Sequence, residues 1–121
     1  MKIFISQPMQ NKTNTEILAE RERAIKAAKA KWGNDVEVLE SFFRGAPTEA
    51  KPLWFLGESL KVMADADVVI MCEKSTAARG CRTEFYVAYE YDVPIFHMIG
   101  DKILDERETC AKNAHVGKGN Q

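Results

Sequence analysis

The chain has 121 residues, 45% hydrophobic and 9% aromatic, enough for one compact domain around one core. Its 17 basic and 18 acidic residues leave a formal charge of -1, so no overall field draws it to nucleic acid or an anionic membrane, and an anionic ligand must be held locally. The opening MKIFISQPM is too short an apolar run for a secretory signal and no later run can span a bilayer; the odd, unpaired cysteines Cys72, Cys81 and Cys110 read as free thiols of a cytoplasmic protein without a metal.

Lys2 to Ser6 is a short apolar, β-branched run that Gln7-Pro8 closes, which predicts a first strand. Thr13 and Glu16 have capping-box spacing. Leu18, Ile25, Ala28 and Trp32 follow at helical intervals up to Gly33, predicting a helix from Asn14 to Lys31. Val36, Val38 and Phe42 alternate, which suggests a second strand ending near Ser41. Beyond the loop from Arg44 to Pro52, which holds Gly45 and Pro47, a second helix carries Leu53, Leu56, Leu60 and Ala64 on one face.

Asp67 leads into Val68 to Met71, an unbroken apolar run of the kind buried on both faces, so this third strand is expected to be central. Glu73 to Gly80 reads as a loop, Cys81 to Tyr91 as a helix, and Val93 to Met98, opened by Pro94, as a fourth strand. The alternation of strand and helix predicts a three-layer α/β fold, Rossmann-like or flavodoxin-like, with a parallel sheet of order 2-1-3-4 and helices on both faces. The domain is expected to end near residue 100. Residues 101–121 read as an extension, disordered in part, in which Ile103 and Leu104 could start a short helix and His115 lies in a polar tail.

In such a sheet ligands bind beyond the carboxyl ends of the strands, where the order of strand addition reverses. That point lies between the first and third strands. It gathers the loop from Ser6 to Thr13, the loop from Glu73 to Gly80, and Glu84 in the first turns of the next helix. A carboxylate there is stabilised by roughly 0.3–1 kcal/mol through the helix dipole, and Arg79 or Arg82 would add to this, so an ionised Glu84 is expected. An ionised carboxylate beside an anomeric carbon can trap an oxocarbenium-like centre as a glycosyl ester.

Three blocks, MKIFISQPM with the Lys-Thr that follows, PLWFLGESLKVMADADVVIMC and ARGCRTEFYVAYEY, resemble small bacterial and phage proteins of the nucleoside 2-deoxyribosyltransferase-like family. These are related to the deoxynucleoside-monophosphate N-glycosidases. The resemblance covers about Met1 to Met98. It implies that Glu84, in the segment from Gly80, is the nucleophile, and that Ser6, Gln7, Pro8 and Met9 line the base and sugar pocket. It also implies that Ser75 or Thr76, near Arg79 and Gly80, holds a 5′-phosphate, and that the protein is a homo-oligomer, dimeric or larger. No cofactor is implied; the ligand is a small nucleoside or nucleotide.

Two departures bear on activity. The family's enzymes place an aspartate early in the helix before the third strand, to handle the proton of the departing base; here that position is Ser59. Relatives often read Arg-Gly after Pro-Met, where this chain has Gln10-Asn11, with Lys12 able to substitute for the lost charge. The same crevice could instead serve a non-catalytic module for a nucleotide or an ADP-ribose-like ligand, or the domain could act through protein contacts alone. Trp54 and Phe55 could cover the pocket or pack in the core or against a subunit. Cys72 and Arg79 enclose six residues, one more than a phosphatase loop of that kind requires. His97 lies in an apolar strand and suits a core or sheet-end position.

Overall fold

The computed structural model describes residues 1–40 and 47–107; the expectations for Phe42, Arg44, Gly45, Cys110 and His115 fall outside these described residues. Along the chain run β1 (Lys2–Ser6), α1 (Asn14–Trp32), β2 (Glu37–Val38), α2 (Pro52–Met63), β3 (Val68–Met71), a 3₁₀ turn (Ser75–Ala77), α3 (Arg79–Glu90), β4 (Ile95–Ile99) and β5 (Lys102–Asp105). The sheet order is β2-β1-β3-β4-β5. Pairing is parallel from β2 to β4, and β5 runs antiparallel to β4. The chain is thus a three-layer α/β protein of the Rossmann-like kind.

Strand alternation divides the core in two. Ile3, Ile5, Val68, Ile70, Phe96 and Met98 face α1, where Ala24 and Ala28 pack on them. Phe4, Val69, Met71 and Ile95 face the other way, toward Met63 of α2 and Cys81 and Ala88 of α3. Phe4 and Val69 are wholly buried; each such side chain contributes about 1.5–3 kcal/mol. At the amino ends of β1 and β3, Asp67 accepts from the Lys2 N–H at 2.7 Å and returns its own N–H to the Lys2 carbonyl at 2.8 Å.

The Thr13 capping box forms: the Thr13 hydroxyl accepts the Glu16 N–H at 3.1 Å and the Glu16 carboxylate accepts the Thr13 N–H at 2.8 Å. The buried face of α1 is Ile17, Arg21, Ala24 and Ala28; of the expected stripe Ala28 is buried and Ile25 and Trp32 are half-buried against the same cluster, whereas Leu18 is 41% exposed. Two alanines let the helix approach the sheet closely. Arg21 is accommodated because its guanidinium donates to the Leu39 carbonyl at 2.8 Å and approaches Glu40.

In the described part, β2 is only two residues long. The expected face of α2 is also corrected: it buries Ser59 and Met63, Leu60 is partly buried, and Leu53 and Ala64 are exposed. Helix α3 starts at Arg79 rather than Cys81. In place of a short helix at Ile103 and Leu104, β5 joins the sheet through a two-residue hairpin, with Ile99 opposite Lys102 and Gly100 at φ 62. Glycine in the first central position supplies the positive φ of that mirror-image turn. The sheet is therefore mixed, not purely parallel.

Candidate functional site

The carboxyl end of β1 meets the amino-terminal half of α3. Ser6, the last residue of β1, is an even position of a strand whose even side chains face α2 and α3. Its hydroxyl donates to Glu84 Oε1 at 2.6 Å, within the range of a hydroxyl bonded to a charged carboxylate. Ser59 of α2 is a second, lesser hydrogen-bond partner of the same carboxylate. All three residues are over nine-tenths buried: Ser6 is 1% exposed, Ser59 8% and Glu84 8%.

Because α3 begins at Arg79, Glu84 stands in its second turn, beyond the strongest part of the helix dipole. Hydroxyls, not guanidinium groups, hold it; Arg82 turns away to donate to the Thr76 carbonyl at 2.8 Å. The expected stabilisation of the anion is thus overturned in direction. Burial pushes the Glu84 carboxyl above its ordinary value of 4.5, and the hydrogen bonds from Ser6 and then Ser59 pull it part of the way back. The result is a poorly hydrated carboxylate, more basic than a surface glutamate.

Cys81 lies three residues before Glu84 on the same helix face and is hydrogen-bonded to Ser6. Burial raises its thiol to about 11 and that of Cys72 to about 12, so neither suits a nucleophile at neutral pH. Cys72 belongs to the opposite core cluster, packed toward α1.

The other residues expected at the site are distributed around this carboxylate. The Gln7 side chain points toward α1, where its Nε2 donates to the Ile17 carbonyl at 3.1 Å and to Glu20 at 3.0 Å, the latter also paired with Lys12 at 3.3 Å. Its buried Oε1 has no partner among the described residues. Ser6 and Gln7, adjacent in sequence, thus serve opposite faces of the sheet. Pro8 and Met9 are half-buried. Ser75 is buried in the 3₁₀ turn after β3, whereas Thr76 and Arg79 are exposed.

Gly80 is the second residue of α3, and a side chain added there would meet nothing within 4 Å. Ala78, at the N-cap of this helix, makes no side-chain cap hydrogen bond to its first N–H groups. Trp54 and Phe55 make an edge-to-face pair on α2 at 5.0 Å. On the same side of the sheet His97 pairs with Glu106 and lies 6.2 Å from the Phe85 ring.

Two residues carry more of the site than the sequence indicated. Ser59 reads there as a departure from a catalytic aspartate, yet it faces Glu84. Cys81 reads as a core thiol, yet it bonds Ser6. The only signal for Ser59 is its place four residues before Met63, on the buried stripe of α2.

Among the described residues no cluster of three His, Cys, Asp or Glu side chains is arranged to hold a metal, and no helix is long and apolar enough to cross a membrane. Fold and site together define an α/β protein with a buried carboxylate and hydroxyl cluster at the switch point of its sheet. No family model, curated protein or solved structure matches the chain.

Proposed function

We propose that this is a nucleoside 2-deoxyribosyltransferase-like protein that cleaves or transfers at the N-glycosidic bond of a nucleoside or nucleotide, with Glu84 as carboxylate nucleophile. The observation that carries the reading is the hydrogen bond from Ser6 to Glu84 at the carboxyl end of β1. It puts a desolvated, oriented carboxylate where open α/β sheets bind their ligands. A poorly hydrated carboxylate loses little solvation when it meets an electrophilic carbon, which favours attack.

In the proposed reaction one Glu84 oxygen forms a bond to the anomeric carbon while the bond to the base nitrogen breaks. The electron pair leaves with the base, which takes a proton from solvent. Water or the ring nitrogen of an acceptor base then attacks the same carbon, giving up its proton to solvent, as the bond to the Glu84 oxygen breaks and the carboxylate is released. Reaching Glu84 requires displacement of whatever covers it, since the side chain is buried. The open amino end of α3 around Gly80, beside Ser75, Thr76 and Arg79, suits a 5′-phosphate.

The test is incubation with the four deoxynucleosides and their 5′-monophosphates, followed by chromatography for free base. Release that falls by about 10³-fold or more in Glu84→Gln, the scale of a lost nucleophile, supports the reading. No release from any of the eight compounds sinks it.

One observation favours a second reading, a non-catalytic nucleotide or ADP-ribose-like binding module. Where a proton-handling carboxylate is expected beside Glu84, a serine stands. Thermal stabilisation by a nucleotide with no base released would select that reading. In either case the protein is proposed to be cytoplasmic and a homo-oligomer; the exposed Leu53 and Phe55 of α2 are suited to a subunit contact.

A further inference from the structure

Ser6 is expected, from the resemblance, to touch the substrate. Its surroundings argue for a different role. As the last residue of β1 it is held by the sheet: it pairs with Met71 in β3, and its carbonyl accepts the Cys72 N–H at 2.9 Å. Its side chain lies against α3, where Glu84 and Cys81, both buried, are its partners. A serine hydroxyl has one proton to donate, and here it goes to Glu84 Oε1. No second proton remains for a sugar or base.

We infer that Ser6 is a positioning residue for Glu84, holding Oε1 so that Oε2 is the oxygen that attacks the anomeric carbon; the inference rests on the glycosidic reading above. The strand end is rigid, while a glutamate side chain has three rotatable bonds, so a short bond to Oε1 removes most of the freedom of the carboxylate plane. As Oε2 bonds to carbon and the bond to the base breaks, the charge on the carboxylate disappears and Oε1 becomes the ester carbonyl. It still accepts from Ser6. When water displaces Oε2, the returning charge is stabilised by the same hydroxyl.

A positioning residue and a substrate-binding residue differ in what their loss changes. Ser6→Ala is expected to lower kcat about 10- to 100-fold, the rate equivalent of one charge-assisted hydrogen bond, with KM within about twofold of the parent. Ser6→Thr keeps the hydroxyl and is expected to restore most of the rate. An increase in KM with kcat unchanged would overturn the assignment.

A second readout does not require turnover. In protein labelled with ¹³C at the glutamate carboxyls, with Glu84→Gln supplying the assignment, the Glu84 titration is expected to move to higher pH in Ser6→Ala and to return in Ser6→Thr. An unmoved titration also overturns the assignment. If the parent protein releases no base, the glycosidic reading fails, and the titration still decides whether Ser6 governs Glu84.

Discussion

Ser6 and Glu84 are 78 positions apart in the chain and 2.6 Å apart at their oxygens. One closes the first strand and the other sits in the third helix, and the parallel pairing of β1 with β3 brings them together. A serine hydroxyl thus becomes the main solvation of a buried carboxylate.

That arrangement makes the fold sensitive to the charge on Glu84. Burial lifts the carboxyl above 4.5 in the folded state, so as pH rises from there the unfolded chain loses this proton first. The stability contributed by neutral Glu84 is complete below its unfolded value and is lost as pH passes through the raised folded one. Glu84→Gln, which stays neutral and can still accept from Ser6, should therefore gain thermal stability over the parent progressively as pH rises above 4.5. A difference in melting temperature that stays flat as pH rises to neutrality would contradict the burial of the charge.

Helix α1 depends on its cap. Thr13→Ala removes the acceptor for the Glu16 N–H and should destabilise the protein by about 1 kcal/mol in urea unfolding, while Thr13→Ser should stay close to the parent. Equal losses in the two variants would locate the effect elsewhere.

The thiols offer a test of burial. With Cys72 raised to about 12 and Cys81 to about 11, neither forms appreciable thiolate at pH 8. In a Cys110→Ser variant, Ellman's reagent should modify native protein slowly and titrate two thiols at once after denaturation. A rapidly reacting thiol in the native variant would show that one of these side chains is reachable.

Helix α2 should respond unevenly along its length. Met63 is 3% exposed and Leu53 is 74% exposed. Met63→Ala is expected to cost about 2–5 kcal/mol of folding stability, whereas Leu53→Ser should fall within about 0.5 kcal/mol of the parent. Should Leu53→Ser instead lower both stability and the mass seen by light scattering, the exposed end of α2 is a subunit contact.

Much of this protein is readable from local pattern. The run from Lys2 to Ser6, the capping box at Thr13 and the buried strand from Val68 to Met71 stand at their expected places because each is specified by neighbours a few residues away. The parallel sheet follows from the alternation of elements, and its expected order 2-1-3-4 is the one the strands adopt. The Gly100-Asp101 pair between apolar runs was a legible hairpin signal as well, and reading Ile103 and Leu104 as a helix start overlooked it.

Other features depend on contacts that no local window contains. Which stripe of α1 turns inward was decided by how closely Ala24 and Ala28 could approach the sheet and by the Leu39 carbonyl available to Arg21. The direction of the Glu84 shift was decided in the same way: helix position and nearby arginines point to an easily ionised group, but burial between β1, α2 and α3 outweighs both. Local sequence determines backbone conformation because its forces act over a few residues. Solvation of a side chain depends on what folds over it, and only the tertiary structure decides that.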